Sequence, residues 1–284
     1  MPYKMLALDI DGTLLTSTRV LTPRTKQAVI KLQQQGWLVT LVSGRRHTSM
    51  LSLAGELELN APIVAFNGGL IVDAAKEMVL AKKDMPLESI REILLAWQAA
   101  KVNFRLNTSS FHGPPFYYYE NPGSVYGFRE RMYTQELREG RRFYQVDEID
   151  FNPLRLIVGG TERETTLAKE VATPWLDGAN LWALHLQDYD ELWFLEIFPG
   201  EMHKGIGLSN LCSLLSISPA ACIAIGDQLN DIEMLQTAGL GIAMGNSVPA
   251  VKEAAQMVIG DHNEEGLAIF IEELLAGSLR GYLP

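Results

Sequence analysis

Asp9 and Asp11 stand two positions apart in the segment Asp9-Ile10-Asp11-Gly12-Thr13-Leu14-Leu15, directly after the apolar run Met5 to Leu8. Gly12 permits a turn there, so both carboxylates can converge on one pocket. Carboxylates gathered in this way repel one another and are costly to desolvate, and such a pair usually serves a cation or proton transfer. The alternative is a solvated Asp-Gly turn that only closes a strand. Partners for the pair recur along the chain. Ser43 and Gly44 follow a second apolar run, Lys204 opens a helical pattern, and Asp227, Asn230 and Asp231 follow a further apolar run. Asp9, Asp227 and Asp231 would repel strongly unless a cation held them. They offer only oxygen, with no Cys/His set of metal-ligand spacing, so a hard ion such as Mg²⁺ is preferred over zinc. Lys204, the Ser43 hydroxyl and backbone N–H groups at Gly12-Thr13 and Gly44 suit a tetrahedral dianion. A metal, a lysine, a hydroxyl and a free carboxylate describe a site for phosphoryl transfer.

Short apolar strands alternating with helices must position these groups. Met5 to Leu8 is expected as a strand, Pro23 to Gln35 as a helix ended by Gly36, Trp37 to Val42 as a strand, and His47 to Leu57 as a helix. Ile63 to Phe66 is a third strand, and Leu70 to Val72 with Met78 to Leu80 a small hairpin. The C-terminal part repeats the alternation. Its helices are Lys204 to Leu215, Ile232 to Thr237, Val248 to Ala255 and Glu264 to Leu275. Its strands are Cys222 to Ile225, Leu240 to Met244 and Met257 to Ile259. This pattern predicts a doubly wound, Rossmann-like α/β core whose parallel sheet is covered on both faces. In such a sheet ligands sit beyond the carboxyl ends of the strands, where these polar groups fall.

The middle of the chain differs in texture. Glu88 to Ala100 reads as an amphipathic helix, Val102 to Leu106 as a strand, and Phe111 to Tyr126 is rich in Pro, Gly and Tyr. A helix near Phe128 to Leu137, a strand at Leu154 to Val158, a helix from Thr161 to Leu176 and two strands, Leu181 to Leu186 and Leu192 to Ile197, follow. We expect an inserted α/β domain at 84–193 and a discontinuous core at 1–83 and 194–284; about 110 residues suffice for an independent core.

Composition narrows the function. The chain has 284 residues, 47% of them apolar, enough for a sizeable core in one or two domains. A net charge of -10 argues against a general nucleic-acid surface; Arg45-Arg46 and Arg141-Arg142 are its densest basic runs. Cys212 and Cys222 are too few for a disulfide framework and read as core thiols of a reducing compartment. The chain begins without a basic, apolar and small-residue leader, and no apolar run reaches membrane-spanning length, so a soluble cytoplasmic protein is expected. No signature of oligomeric state is present.

Asp9-Ile10-Asp11-Gly12-Thr13-Leu14, Ser43-Gly44-Arg45, Lys204 and Gly226-Asp227-Gln228-Leu229-Asn230-Asp231 resemble the four motifs of the haloacid-dehalogenase-like superfamily. Their order and spacing are similar to its Cof-type phosphatases, whose cap domain lies between the second and third motifs. Asn67-Gly68-Gly69, Met244-Gly245-Asn246 and Asn263-Glu264-Glu265-Gly266 add to the likeness. The resemblance implies that Asp9 is the nucleophile and Asp11 the acid and base that protonates the leaving alkoxide and then activates water. It implies Mg²⁺ held by the Asp9 carboxylate, the Asp11 carbonyl and Asp227, with Asp231 acting through water. Ser43, Gly44, Lys204 and Asn230 would contact the phosphoryl group. Dehalogenases of the superfamily lack the acid at the position of Asp11 and its transport ATPases carry Thr, so Asp11 implies hydrolysis of a phosphate ester.

The reading has departures and rivals. His203 stands where a small or hydroxyl residue is more frequent, as a packing group or a substrate contact. Ser247 and Gln256 also depart from the common pattern, away from the chemistry. Arg45 reads either as a contact to substrate or cap or as a solvated surface group, and Asn67 and Asn246 as loop-shaping residues. In the inserted domain Phe116-Tyr117-Tyr118-Tyr119 reads more simply as a half-buried strand than as a pocket lining, and Trp182, Trp193 and Phe194 as core. Arg105, His112 and His185 are candidate substrate contacts. The expected function is Mg²⁺-dependent hydrolysis of a small phosphorylated metabolite, a sugar phosphate or phosphorylated cofactor, with no nucleic-acid or membrane partner. The alternatives are a phosphosugar mutase of the same superfamily and a non-catalytic phospho-ligand binding protein.

Overall fold

A computed structural model describes residues 4–121, 139–178, 181–187, 193–200 and 202–278. The helix expected near Phe128 to Leu137 and the side chain of Trp182 lie outside the described residues. The chain divides into two compact units, Met1–Ala81 with His203–Pro284, and Lys82–Met202.

In the first segment β1 (Met5–Leu8) leads to α1 (Pro23–Gln34), β2 (Leu38–Leu41), α2 (Leu51–Glu56), β3 (Ile63–Ala65), β4 (Leu70–Asp73) and β5 (Met78–Lys82). The second unit contains α3 (Leu87–Ala99), β6 (Phe104–Asn107), β7 (Phe116–Tyr119), β8 (Arg141–Arg142), β9 (Arg155–Gly160), α4 (Glu162–Leu176), β10 (Leu181–Gln187) and β11 (Trp193–Pro199). The chain then returns through α5 (Lys204–Leu214), β12 (Cys222–Gly226), α6 (Ile232–Thr237), β13 (Leu240–Ala243), α7 (Pro249–Ala254), β14 (Met257–Val258) and α8 (Gly266–Ala276).

The first unit is built on a parallel sheet in the order β14-β13-β12-β1-β2. All four residues of β1 are buried, as a strand covered on both faces requires. Met5 and Ala7 pack with Leu208, Leu211 and Cys212 of α5 and Met234 and Leu235 of α6. α1 starts with Pro23 in its first turn, and the Thr22 hydroxyl accepts from the Thr25 N–H. Ile63 to Phe66 was expected in the main sheet. It adjoins the extension of β2 through a parallel Val42–Val64 bridge and the Ser43 N–H donated to the Val64 carbonyl at 2.9 Å, while β3 pairs antiparallel with β4 in a sheet of order β3-β4-β5. The expected helix His47 to Leu57 is divided into a tight 3₁₀ turn at His47–Met50 and α2. Glu265 at φ 62° delays the last helix to Gly266.

The second unit carries a mixed sheet of order β10-β11-β9-β6-β7-β8, antiparallel except where β7 meets β8. Period-two alternation sends Phe104, Leu106, Leu156, Val158, Leu195 and Ile197 into one core with Ile90, Leu94 and Trp97 of α3 and Ala168 and Ala172 of α4. Trp97 Nε1–H donates to the Ala168 carbonyl at 2.8 Å, which satisfies the indole inside that core. β11 pairs with β10 and β9 and cannot be divided, so the second unit extends to Met202 rather than ending at 193. The tyrosine run is the strand β7, with Tyr117 against Phe151 and Tyr119 against Phe104. Among the described residues no helix is long and apolar enough to cross a membrane.

Candidate active site

Three neighbouring strands of the parallel sheet end at the same edge, with Leu8 of β1 level with Leu41 of β2 and Ile225 of β12. The next residues are therefore brought together whatever their separation in sequence. Asp9 continues β1 by donating its N–H to the Ile225 carbonyl at 3.0 Å. Lys204 is the first residue of α5, and its ammonium is buried between two carboxylates, 2.6 Å from Asp9 Oδ1 and 2.6 Å from Asp231 Oδ1. One oxygen each of Asp9, Asp227 and Asp231 lies within 4.8 Å of the others, and all three residues are buried.

The charge count of this cluster is decisive. With all three ionised, three carboxylates against one ammonium would carry two excess negative charges in a buried site. Burial pushes the Asp9 carboxyl up to about 8, and the charge of Asp231 reinforces this against the pull of Lys204. Burial, then Asp231, raises Asp227 to about 6. Burial opposes the charge on Lys204, but the carboxylates of Asp9 and Asp231 outweigh it and hold the ammonium above its ordinary 10.5. One divalent cation would balance the remaining charge, and an all-oxygen donor set suits a hard ion. The residues present therefore fit a divalent metal.

The backbone around the cluster is shaped to hold these acids. Gly12 adopts φ +82°, and a Cβ built there would lie 2.3 Å from Asp227 Oδ2. Glycine is thus required twice, for the left-handed turn and for the space that Asp227 occupies. Thr13 Oγ1–H donates to Asp227 Oδ1 at 3.1 Å and Gln228 Nε2–H to its Oδ2 at 3.2 Å. Asp231 Oδ2 accepts from the N–H groups of Asp227 and Gln228 at 3.0 and 2.9 Å. With its other oxygen on Lys204, both oxygens of Asp231 are engaged by protein donors. This fits a residue that shapes the site more than a direct ligand.

The remaining expected residues divide into two groups. Ser43 is buried at the end of β2, and its Oγ accepts from the Arg45 N–H at 3.3 Å. A Cβ on Gly44 would meet Asn67 Oδ1 at 3.0 Å. Asn230 Nδ2–H donates to that same Asn67 Oδ1 at 3.3 Å. Asn67, held at φ 52°, thus links the Ser43-Gly44 turn to the Asp227–Asp231 loop. Asp11 stands apart from the buried acids. Its side chain is 54% exposed and is gripped at both oxygens by Arg45.

Asn67 and Asn246 shape loops here, the role expected of them. Asn246 Nδ2–H donates to the Gly12 carbonyl at 2.8 Å and its Oδ1 accepts from the His262 N–H, which fastens the turn beside Asp227. The Thr13 hydroxyl, unlike its backbone N–H, carries no role in the sequence reading. The repetition of Asn-Gly and Gly-Asn after apolar runs was the available signal for Asn67 and Asn246. The side chain of His203 caps α5 by accepting from the Ile206 N–H at 3.3 Å, a structural use for this residue. In the second unit Arg105 is buried with its guanidinium 4.7 Å above Phe116, His185 Nε2 meets Thr165 Oγ1 at 2.8 Å, and His112 is exposed.

A family model described as haloacid dehalogenase-like hydrolase matches residues 6–271. The chain is 26% identical to 5-amino-6-(5-phospho-D-ribitylamino)uracil phosphatase YitU of Bacillus subtilis, over 96% of this chain and 97% of that protein. It is 29% identical to pyridoxal phosphate phosphatase YbhA of Escherichia coli, over 95% of this chain and 98% of that one. A crystal structure of a haloacid dehalogenase-like hydrolase from Bacteroides thetaiotaomicron superposes with a TM-score of 0.78 at 25% identity, covering 96% of this chain and 99% of that one. The chain belongs to the haloacid dehalogenase-like hydrolases and is a phosphoric monoester hydrolase.

Proposed function

We propose that this haloacid dehalogenase-like hydrolase is a Mg²⁺-dependent phosphatase of small phosphorylated metabolites, working through an aspartyl-phosphate on Asp9. The observation that carries the reading is the buried set of three acids around one ammonium, which on full ionisation has two excess negative charges for a divalent ion to balance. The Asp9 carboxylate, the Asp11 carbonyl and Asp227 would hold Mg²⁺, with Asp231 supporting it through water. When bound, the ion supplies positive charge to the phosphoryl oxygens and keeps Asp9 ionised.

The protein's own groups do the rest. Lys204 holds Asp9 through one oxygen and leaves the other to attack phosphorus. Lys204, the Ser43 hydroxyl, the Gly44 N–H and the Asn230 amide bind the phosphoryl oxygens. Asp11 protonates the departing alkoxide, then takes the proton of the water that cleaves the aspartyl-phosphate. The inserted unit, Lys82–Met202, is the cap that selects among substrates in this reading.

The relatives named for pyridoxal phosphate and for a ribitylaminouracil phosphate support phosphorylated cofactors and their precursors, beside sugar phosphates, as the substrate class. We place the activity in the cytoplasm, where the free thiols of Cys212 and Cys222 persist. A phosphate-release screen over sugar phosphates, nucleotides, flavin mononucleotide and pyridoxal phosphate, with Mg²⁺ or with EDTA, tests the proposal. Free phosphate released only with Mg²⁺ is expected. Release that is indifferent to EDTA, or an isomerised sugar phosphate without free phosphate, would refute it.

A further inference from the structure

We infer that Arg45 is a positioning residue for the proton-transferring carboxyl of Asp11, an inference that rests on the mechanism proposed above. Arg45 Nε–H donates to Asp11 Oδ2 at 2.7 Å and Nη2–H to Oδ1 at 2.5 Å, a two-point fork on the carboxylate. The residues meet because the turns after β1 and β2 leave the sheet at the same edge. Arg45 is itself anchored, since its N–H donates to Ser43 Oγ and its carbonyl accepts from the Phe66 N–H at 3.0 Å. The pair has little value as a stabilising device, because ion pairs this open to solvent contribute little. Its effect is orientation. Two cations sort two nearby acids: Lys204 takes Asp9 into the buried cluster, and Arg45 holds Asp11 at the rim.

The chemistry needs that hold. In the first step an Asp9 oxygen forms a bond to phosphorus while the bond from phosphorus to the ester oxygen breaks. The electron pair stays on the ester oxygen, and the Asp11 carboxyl proton passes to it. In the second step the water oxygen bonds to phosphorus and the bond from phosphorus to the Asp9 oxygen breaks, its electron pair returning to the Asp9 carboxylate; inorganic phosphate leaves, and the proton of the water passes to Asp11. A proton on Asp11 occupies one oxygen only, so Arg45 retains the other and the carboxyl keeps its aim in both protonation states. Without Arg45 an exposed carboxyl would turn among rotamers and meet the ester oxygen less often.

First-turnover release of the phenol isolates the first step, with p-nitrophenyl, p-chlorophenyl, phenyl and p-methoxyphenyl phosphates as probes. Their leaving groups become steadily more basic and steadily more dependent on an acid. General acids contribute about 10²–10⁴-fold, and a poorly held acid forfeits part of that. Arg45→Met is expected to lose about tenfold more rate on the p-methoxyphenyl than on the p-nitrophenyl ester. Arg45→Lys, with one donor for the carboxylate, should recover part of the difference. The comparison is between substrates on one protein, so loss of folded enzyme cancels. Equal losses on all four esters, or no loss, would overturn the inference. Asp11→Asn in the same series separates the two levels. If Asp11→Asn steepens the dependence and Arg45→Met does not, Arg45 is not the positioning group and the mechanism stands. If Asp11→Asn does not steepen it, the acid role of Asp11 falls and the inference about Arg45 falls with it.

Discussion

Replacing Asp9 by Asn should make the metal-free protein more stable at pH 8 while abolishing turnover. The Asp9 carboxyl is raised from 3.8 to about 8, chiefly by burial. Between those values the folded protein keeps a proton that the unfolded chain releases, so stability falls as pH rises through the window. The slope approaches about 1.4 kcal/mol per pH unit for one proton and halves at the folded value, which gives roughly 2 kcal/mol between pH 6 and 8. Lys204, raised above 10.5, adds stability that is fully present below that pH and does not alter the slope. Asparagine occupies the same space and carries no proton to lose, and Lys204 keeps Asp231 as its partner. For a domain of this size about 2 kcal/mol corresponds to about 4–8 °C in Tm. Thermal melts of wild type and Asp9→Asn in EDTA at pH 6, 7 and 8 measure the effect. The gap between the proteins should widen by several degrees in favour of the variant as pH rises, and Mg²⁺ should raise wild type more than the variant. A gap that is independent of pH, or a variant that melts lower at pH 8, would refute the electrostatic account. Phosphate release by the variant in the same buffers would refute Asp9 as nucleophile.

Three other outcomes follow from the same geometry. Mg²⁺ must displace protons from Asp9 and from Asp227, which is raised to about 6, so apparent Mg²⁺ affinity should fall as pH drops from 8 to 5. The fall should approach tenfold per pH unit for each proton displaced, measured by Mg²⁺ titration of activity or by calorimetry. Gly12→Ala forces a Cβ onto Asp227 at φ +82° and should cost about 1–3 kcal/mol in urea melts, with a Mg²⁺ requirement raised at least about tenfold. Lys204→Met leaves three buried carboxylates without their ammonium. It should cost about 3–5 kcal/mol at pH 8 in EDTA, with much of the loss recovered at pH 5, where Asp9 and Asp227 are neutral.

Much of the core was legible because its signals are local. The apolar run Met5 to Leu8 covers β1, and Pro23 and Gly36 bound α1 through backbone chemistry that involves only near neighbours. Elements whose limits depend on a partner were read less well. β3 carries the same buried apolar run as β1, yet its ladder is antiparallel with β4 and it meets the main sheet just past the end of β2. The extent of β11 within the second unit is set by its pairing with β9 and β10.

The amino-acid sequence by itself determined which acids, which amine and which turns stand at strand ends, because residue type and hydrophobic period are properties of short segments. It also determined the family, through four motifs whose order is unmistakable together. Only the tertiary structure decided which charge meets which. Asp9, Lys204 and Asp231 come from three separate stretches of chain, and it takes the sheet register and the start of α5 to set Lys204 between the two acids. The same register gives Asp11 to Arg45 and Asn230 to Asn67. Electrostatics and hydrogen bonding act over a few ångströms, and sequence distance says little about such separations until the backbone has folded.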